Sequence, residues 1–268
     1  RRPWRQADRP GAVAKAMRVI VVASMKGGVG KTTTTANLAF AIASLGRPVL
    51  VVDLDPQNSL FLHFGLDGSN ADGMARAALD GRRWQAPALA TDSGVLCLPY
   101  GHLRGEESAR FERMLGENPG ALVGALREAC ANEPEAIVLI DTPPGPSPYL
   151  KAAFECADLA VLVLLADGGS YATIPAMEAW VEEWQAQRPD LEAAYLLNQT
   201  DATAPLARDV SEVLRDRLAD RLLPVGIHRD EAIGEALAVQ QSVLDYDPHC
   251  QAALDFRRLA NMLLRHLA

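Results

Sequence analysis

Short apolar runs alternate with longer segments of helical periodicity along most of the chain. Runs of apolar and β-branched residues predict buried strands at 19–22, 49–53, 95–99, 136–141, 159–165, 194–198 and 222–226. The spacing of apolar residues between them predicts helices, among them 32–45, 69–81 and 106–131, the last broken near Pro119. Continuous apolar strands that alternate with helices are typical of a parallel sheet covered on both faces. We therefore expect an α/β fold with a single doubly wound, mostly parallel sheet and helices on both of its faces.

A glycine-rich loop follows the first strand, and it reads Met25-Lys26-Gly27-Gly28-Val29-Gly30-Lys31-Thr32-Thr33. Its glycines allow backbone amides to turn toward a polyphosphate, and the next helix adds its positive N-terminal end. Lys31 supplies a charge for the β and γ phosphates, and Thr32 supplies a hydroxyl for Mg²⁺. The common Walker pattern has glycine where Met25 stands, and a second lysine, Lys26, precedes the glycines. The strand, loop and helix together predict an ATP site in a P-loop NTPase fold, in preference to a flexible basic loop.

Polar residues stand at the ends of three predicted strands. Asp53 and Asp55 end the second strand, Asp141 ends the strand 136–141, and Asn198 ends the strand 194–198. Because parallel strands end at one edge of a sheet, the three acids are expected beside the glycine loop. Asp141 can hold Mg²⁺ through water, and an acid at the tip of the second strand can orient the attacking water. Asn198 offers a donor and an acceptor suited to a purine edge, although asparagine also closes strands by turning the chain.

Composition narrows the class of protein. The chain has 268 residues, 49% of them hydrophobic, which suits one large domain. The four cysteines and five histidines show no disulfide or metal-ligand spacing, as expected of a cytoplasmic protein. No apolar stretch approaches the ~18 residues of a membrane-spanning helix, so no integral membrane segment is expected. The net charge of −8 argues against strong non-specific DNA binding.

The two ends of the chain differ from the rest. Residues 1–16 are basic and contain proline and glycine, so they predict a disordered leader before an ATPase domain at 17–268, with Met17 as a plausible start. A basic tail that docks on acidic lipid or nucleic acid is the alternative. The last helix has apolar residues at three- and four-residue spacing and intervening arginines. This pattern favours a helix packed on the core over one lying on a membrane surface.

Three segments together resemble a known family. They are the loop from Lys26 to Thr33, the segment Val52-Asp53-Leu54-Asp55-Pro56-Gln57, and the segment Ile140-Asp141-Thr142-Pro143-Pro144. They look like the deviant Walker A ATPases of the ParA/MinD group, over about residues 17–267. The resemblance implies an ATP-sandwiched homodimer in which Lys26 reaches the phosphates of the partner subunit.

The same resemblance implies a role for each site residue. The catalytic residues are Asp55, which activates water, with Lys26 and Lys31. Magnesium is held by Thr32, Asp53 and Asp141. ATP is bound by Lys26, Gly27, Gly28, Val29, Gly30, Lys31, Thr32 and Thr33, and its adenine is flanked by Asn198, Ile227, His228, Arg229 and Asp230.

Two further segments, 72–84 and 222–232, are similar to the BcsQ (YhjQ) family of bacterial cellulose-biosynthesis ATPases. This resemblance implies a Mg²⁺-ATP switch required for cellulose biosynthesis and secretion. Its implied partners are BcsR-like and BcsE-like regulatory subunits of the cellulose synthase complex, which can recruit a cytoplasmic protein to the inner membrane. A ParA-type partitioning ATPase and a MinD-type positioning ATPase are the alternatives. In the first segment, Arg76, Arg82, Arg83 and Trp84 are candidates for a partner surface, with an ordinary surface helix as the alternative.

Overall fold

The computed structural model describes residues 17–67 and 72–268. The predicted leader 1–16 and residues 68–71 of the predicted helix 69–81 lie outside the described residues. Seven strands form one sheet in the order β3-β4-β2-β5-β1-β6-β7. Their bounds are β1 Met17–Ala23, β2 Val49–Asp53, β3 Leu89–Ala90, β4 Val95–Leu98, β5 Ala136–Asp141, β6 Leu159–Leu165 and β7 Glu192–Asn198.

The helices lie on both faces of this sheet. They are α1 Lys31–Ala43, α2 Met74–Leu79, α3 Gly105–Glu117, α4 Ala121–Ala129, α5 Pro148–Cys156, α6 Gly168–Gln187, α7 Pro205–Leu218, α8 Glu231–Ala238, α9 Val243–Tyr246 and α10 Gln251–Leu267. Short 3-10 helices span Leu60–Phe64 and Ala219–Arg221. No helix within these described ranges is long and apolar enough to cross a membrane.

Strand alternation explains the two layers of core. On β1, Ile20 and Val22 face a core formed with α1, α8, α9 and α10, while Val19 and Val21 face a core formed with α2 to α7. Each side of a central strand is apolar because each side is covered by helices. This arrangement confirms the predicted doubly wound α/β fold.

All strand pairs of the sheet are parallel except one. The short strand β3 pairs antiparallel with β4 and was not predicted, since two residues carry too little pattern to be recognised. Parallel register places Asp53 at the end of β2 beside Asp141 at the end of β5. The strand that contributes the glycine loop, β1, is the other neighbour of β5. The carboxyl edge of the sheet therefore brings the predicted acids to the loop.

Several predicted elements differ in detail from the observed ones. The predicted strand at 222–226 is wrong: this segment meets β7 through an isolated bridge between Leu222 and Tyr195. The Leu223 amide donates to the Tyr195 carbonyl, but the next amide to bond β7 is that of Ile227, so the residues between them interrupt the parallel ladder. Pro119 does separate α3 from α4, as predicted. The closing helix α10 buries Phe256, Leu259 and Leu263, which confirms the core-packed interpretation.

Candidate functional site

The glycine loop joins β1 to α1 in a conformation that requires glycine. Gly28 and Gly30 have φ angles of 74° and 87°, in the left-handed region that other residues rarely adopt. A Cβ on Gly30 would also lie only 2.4 Å from the Nδ2 atom of Asn198. Gly30 is the N-cap of α1 and has no side chain with which to cap it. The first amides of α1 are therefore left for an anionic ligand.

Lys31 lies at the start of α1 and is buried to 7% exposure. Burial lowers the pKa of its ammonium group, while the nearby carboxylates of Asp141 and Asp55 oppose that change. A buried cation at the end of the glycine loop, with carboxylate charges nearby, is suited to bind a polyphosphate.

Asp141 is fully buried at the carboxyl end of β5. Its Oδ2 atom accepts a hydrogen bond from Thr32 Oγ1 at 2.6 Å, and its Oδ1 atom accepts one from Thr35 Oγ1 at 3.4 Å. Burial raises the pKa of Asp141 to about 7, although the Thr32 hydroxyl and the Lys31 charge oppose the rise. A hydroxyl and a buried carboxylate in contact form an oxygen donor set of the kind that Mg²⁺ prefers. These residues therefore fit a magnesium ion bound beside the phosphates.

Asp53 is the other fully buried acid of this edge. Its Oδ1 atom accepts a hydrogen bond from the Asp55 amide at 2.9 Å, and its Oδ2 atom accepts one from the Leu60 amide at 3.0 Å. Burial and the neighbouring Asp141 charge raise the pKa of Asp53 well above its usual range. Both oxygens thus hold the chain that follows β2, a structural role that the sequence did not reveal.

Asp55 lies at the head of a tight turn. Its Oδ1 atom accepts a hydrogen bond from the Gln57 amide at 2.9 Å, and its carbonyl oxygen accepts one from the Asn58 amide at 2.8 Å. The half-buried Asp55 carboxylate lies near enough to Lys31 and Asp141 to influence the pKa of each. The turn therefore keeps this acid at the phosphate end of the site.

Lys26 has a partner that the sequence did not suggest. Its Nζ atom forms an ion pair with Asp167 Oδ2 at 2.9 Å, and each side chain is 40% exposed. Asp167 is the N-cap of α6, where its Oδ1 atom also accepts a hydrogen bond from the Ser170 amide. The two lysines of the loop thus differ, because Lys31 is buried among acids and Lys26 lies at the surface.

A cavity of about 500 Å³ opens beside the glycine loop. It is lined by Gly30, Thr33, Asn198, Gln199, Arg229, Asp230, Glu231, Ile233, Gly234, Glu235 and Phe256. Asn198 is also tied to the loop, since its Nδ2 atom donates to the Val29 carbonyl at 2.7 Å. The sequence missed Gln199 and the contribution of α8, whose residues follow the predicted segment directly.

Besides Asn198, which lines the cavity, the four residues at 227–230 that are predicted to flank adenine divide into two pairs. Arg229 and Asp230 line the cavity. The Ile227 side chain instead lies fully buried in the core, and His228 bonds Asp255 Oδ2 through its Nδ1 atom at 2.7 Å. Neither the Ile227 nor the His228 side chain is among those that line the cavity.

The candidate partner surface is largely used within the chain. Arg76 donates to Glu107 through both terminal nitrogens of its guanidinium group, at 2.6 and 2.7 Å. Arg82 bonds Asp72, Arg83 bonds Glu128, and the Trp84 ring packs edge-on against Phe111. These contacts neutralise the basic side chains, which favours the interpretation of the segment as an ordinary surface element.

The sequence matches a known family and proteins of known name. The model of the family described as "Cellulose biosynthesis protein BcsQ" matches residues 17–264. The cellulose biosynthesis protein BcsQ of Salmonella typhimurium is 31% identical over 93% of this chain and 95% of its own length. The chromosome-partitioning ATPase Soj of Thermus thermophilus is 31% identical over 92% of this chain and 96% of its own.

Solved structures share the fold. A cobyrinic acid a,c-diamide synthase from Mycobacterium smegmatis, with a bound ATP analogue and magnesium, superimposes with a TM-score of 0.76 at 28% identity, covering 93% of this chain and 95% of that one. The septum site-determining protein MinD from Pyrococcus horikoshii, complexed with Mg-ADP, gives a TM-score of 0.72 at 25% identity, covering 92% and 96%. The chain is therefore similar in sequence and fold to nucleotide-binding proteins of the ParA/MinD type.

Proposed function

Because the chain belongs to the BcsQ family of cellulose biosynthesis proteins, we propose that it is a Mg²⁺-ATP-dependent dimerising ATPase that acts as a switch in bacterial cellulose biosynthesis and secretion. The observation that carries the proposal is the contact of Thr32 with the buried Asp141, beside Lys31 and an open helix N-terminus. This combination offers cationic, amide and carboxylate groups at one point, as a Mg²⁺-nucleotide requires.

Different residues of the site bind different parts of Mg²⁺-ATP. The backbone of Gly27, Gly28, Val29 and Gly30 and the start of α1 at Thr33 surround the phosphates, and Lys31 contributes its charge. Thr32, Asp53 and Asp141 form the magnesium site, and Asp53 also holds the loop behind it. When bound, the metal neutralises phosphate charge and makes the terminal phosphate easier to attack. Asp55, which the turn holds at this end of the site, orients the attacking water. The resulting hydrolysis is slow, and partners regulate its rate.

Lys26 connects ATP to dimerisation. Its ion pair with Asp167 is solvent-exposed, and such pairs stabilise a protein by only ~0.2–1 kcal/mol. Lys26 can therefore leave Asp167 for the phosphates bound by a partner subunit at little cost. ATP then favours the dimer and hydrolysis releases it, since a switch depends on the different affinities of its two states.

Light scattering with ATP, with ADP and without nucleotide tests the dimer. We expect the mass to double with ATP in the wild type and to stay monomeric in Lys26→Ala, while nucleotide affinity is retained. Lys151→Ala is the matched control, because Lys151 is an exposed lysine on α5. An ATP-dependent dimer of undiminished stability in Lys26→Ala would disprove the role of Lys26 across the interface.

We further propose that the partners are regulatory subunits of the cellulose synthase complex, of the BcsR-like and BcsE-like kind, and that they recruit a cytoplasmic protein to the inner membrane. Affinity capture from native cells with Asp55→Ala tests this, since the variant is expected to remain in its ATP-bound state. Recovery of synthase components supports the proposal, and their absence from both Asp55→Ala and wild-type captures argues against it.

Partitioning or cellular positioning is the second candidate, and the similarity to Soj and to MinD favours it. The net charge of −8 is unfavourable to non-specific DNA binding. In the same capture experiment, chromosomal DNA recovered with a partition adaptor, and without synthase components, would select this alternative.

A further inference from the structure

The turn that begins at Asp55 ends at a residue with two unusual properties. Asn58 is buried to 4% exposure, and its φ angle of 47° lies in the left-handed region. Its amide donates to the Asp55 carbonyl at 2.8 Å, so it closes the turn. Its side-chain Oδ1 atom accepts a hydrogen bond from the Gly101 amide at 3.2 Å. Asn58 therefore attaches the Asp55 turn to the loop that follows β4.

Gly101 is in turn pressed against the chain that enters α2. It has a φ angle of 89°, and a Cβ on it would lie 2.8 Å from the Cα atom of Gly73. A Cβ on Gly73 would lie 2.3 Å from the Gly101 nitrogen. Two glycines thus allow two backbones to cross at a distance that no other pair of residues permits.

Backbone hydrogen bonds fix this crossing. The Met74 amide donates to the Pro99 carbonyl at 2.8 Å, and the Ala75 amide donates to the Tyr100 carbonyl at 3.1 Å. The first turn of α2 therefore uses the loop after β4 as its hydrogen-bond acceptor. A displacement of α2 is therefore expected to move this loop and, with it, the Gly101 amide that donates to Asn58.

From these contacts we infer that Asn58 is a positioning residue for ATP hydrolysis: it fixes the Asp55 turn on Gly101, and the start of α2 sets the place of Gly101. The inference rests on the proposed function of Asp55. It predicts that a change at the start of α2 alters the hydrolysis rate while nucleotide affinity stays the same. Continuous contacts join the start of α2 to the Asp55 turn. The experiments measure how strongly these contacts couple α2 to the hydrolysis rate.

The first test compares substitutions at Asn58. Asn58→Gly keeps the left-handed backbone and removes the acceptor, whereas Asn58→Asp keeps an oxygen in the same place. We expect kcat to fall roughly 10- to 100-fold in Asn58→Gly, because a misplacement of ~1 Å at a catalytic group has effects of this size. We expect the dissociation constant for an ATP analogue to change less than about twofold, and Asn58→Asp to recover most of kcat.

Gln240→Gly is the matched control for backbone freedom. Gln240 is an exposed residue with a φ angle of 58°, so glycine there makes the same change in backbone freedom outside the Asp55 turn. We expect kcat of this variant to equal that of the wild type.

The second test changes the backbone contact at the start of α2. Gly73→Ala places a methyl group against the Gly101 backbone, so kcat is expected to fall while ATP-analogue affinity is kept. Gly124→Ala is its control, because a Cβ at Gly124 meets nothing within 4 Å. If either Asn58 variant fails to fold, Gly73→Ala and the remaining variant still decide the question.

The outcomes separate this inference from the proposed function. Wild-type kcat in Asn58→Gly overturns the inference, and so does a parallel loss of affinity, thermal stability and kcat. An Asp55→Ala variant that hydrolyses ATP at the wild-type rate overturns the proposed function itself. If Asp55→Ala is slow while Asn58→Gly is fast, only the positioning role of Asn58 is lost.

Discussion

The two ends of the candidate site are built differently. At the phosphate end, Lys31, Asp53 and Asp141 are buried. Asp53 accepts hydrogen bonds from two backbone amides, and Asp141 accepts one from a threonine hydroxyl. At the base end, an open cavity is bordered by α8 and by Arg229 and Asp230. The proposed phosphate site is formed by backbone geometry and fixed charge, whereas the proposed base site is formed by side chains from distant segments. Substitutions at the phosphate end should therefore have larger effects than those at the base end.

The largest effect is expected from Lys31→Ala. Truncating one partner of a buried charged contact costs ~2–5 kcal/mol, so ATP affinity should fall by at least roughly 30-fold. Isothermal titration calorimetry measures the change, with Lys151→Ala as the surface control. Affinity within a few-fold of the wild type would show that Lys31 does not contact the phosphates.

The buried acids of the phosphate end should make stability depend on pH. Burial raises the pKa of Asp141 to about 7, while in the unfolded chain it is ~3.9. Between these values the folded protein holds a proton that the unfolded chain has lost, so the free energy of unfolding falls as pH rises from about 4 to about 7. Asp53, whose pKa is raised by burial and by Asp141, acts in the same direction.

We therefore expect Asp141→Asn, free of nucleotide and metal, to show a smaller decrease in stability between about pH 5 and about pH 7.5 than the wild type. Urea denaturation at the two pH values measures it. Asp209→Asn is the control, because Asp209 is exposed on α7. An equal decrease in Asp141→Asn and wild type would contradict the assignment of this pH dependence to Asp141.

A smaller effect is expected at the base end from Asn198→Ala. The variant leaves the Val29 carbonyl without its donor, which costs ~1–3 kcal/mol for a buried group. Part of this cost falls on stability, so we expect a lower melting temperature and ATP affinity weaker by roughly 3- to 10-fold. Gln199→Ala serves as the comparison, because Gln199 lines the same cavity. A larger loss of affinity in Asn198→Ala than in Lys31→Ala would reverse the ranking of the two ends.

The smallest effect is expected where the site meets solvent, at Asp167. Asp167→Asn keeps an acceptor for the Ser170 amide and removes the charge that pairs with Lys26. Because an exposed ion pair contributes ~0.2–1 kcal/mol, freeing Lys26 should strengthen the ATP-dependent dimer by up to about fivefold. Analytical ultracentrifugation measures the dimer dissociation constant, again with Asp209→Asn as control. A weaker dimer would show that Asp167 itself contributes to the interface.

The errors of sequence-based prediction fall mainly at the base end and at the sheet edges. The segment 222–226 has the composition of a strand, but it meets β7 through an isolated bridge. Ile227 lies in a segment that resembles the family, yet its side chain is in the core. A resemblance places a segment near a ligand, and it does not say which side chains of the segment face that ligand.

Sequence alone predicted which strands end in polar residues and where a glycine loop joins a strand to a helix. Both follow from local properties: apolar runs form buried strands, strand ends meet at one edge, and only glycine is at ease at the φ angles of Gly28 and Gly30. These features depend on residues that are close in the chain, so spacing reveals them.

Only the tertiary structure decided which partner each polar side chain has. The contacts of Asn198 with Val29, Lys26 with Asp167, and Asn58 with Gly101 join residues far apart in the chain. No periodicity records such pairs, because they depend on how helices and loops pack after the sheet has formed. They also set the exposure of each charge, and exposure decides whether a lysine is a buried phosphate ligand or a mobile surface group.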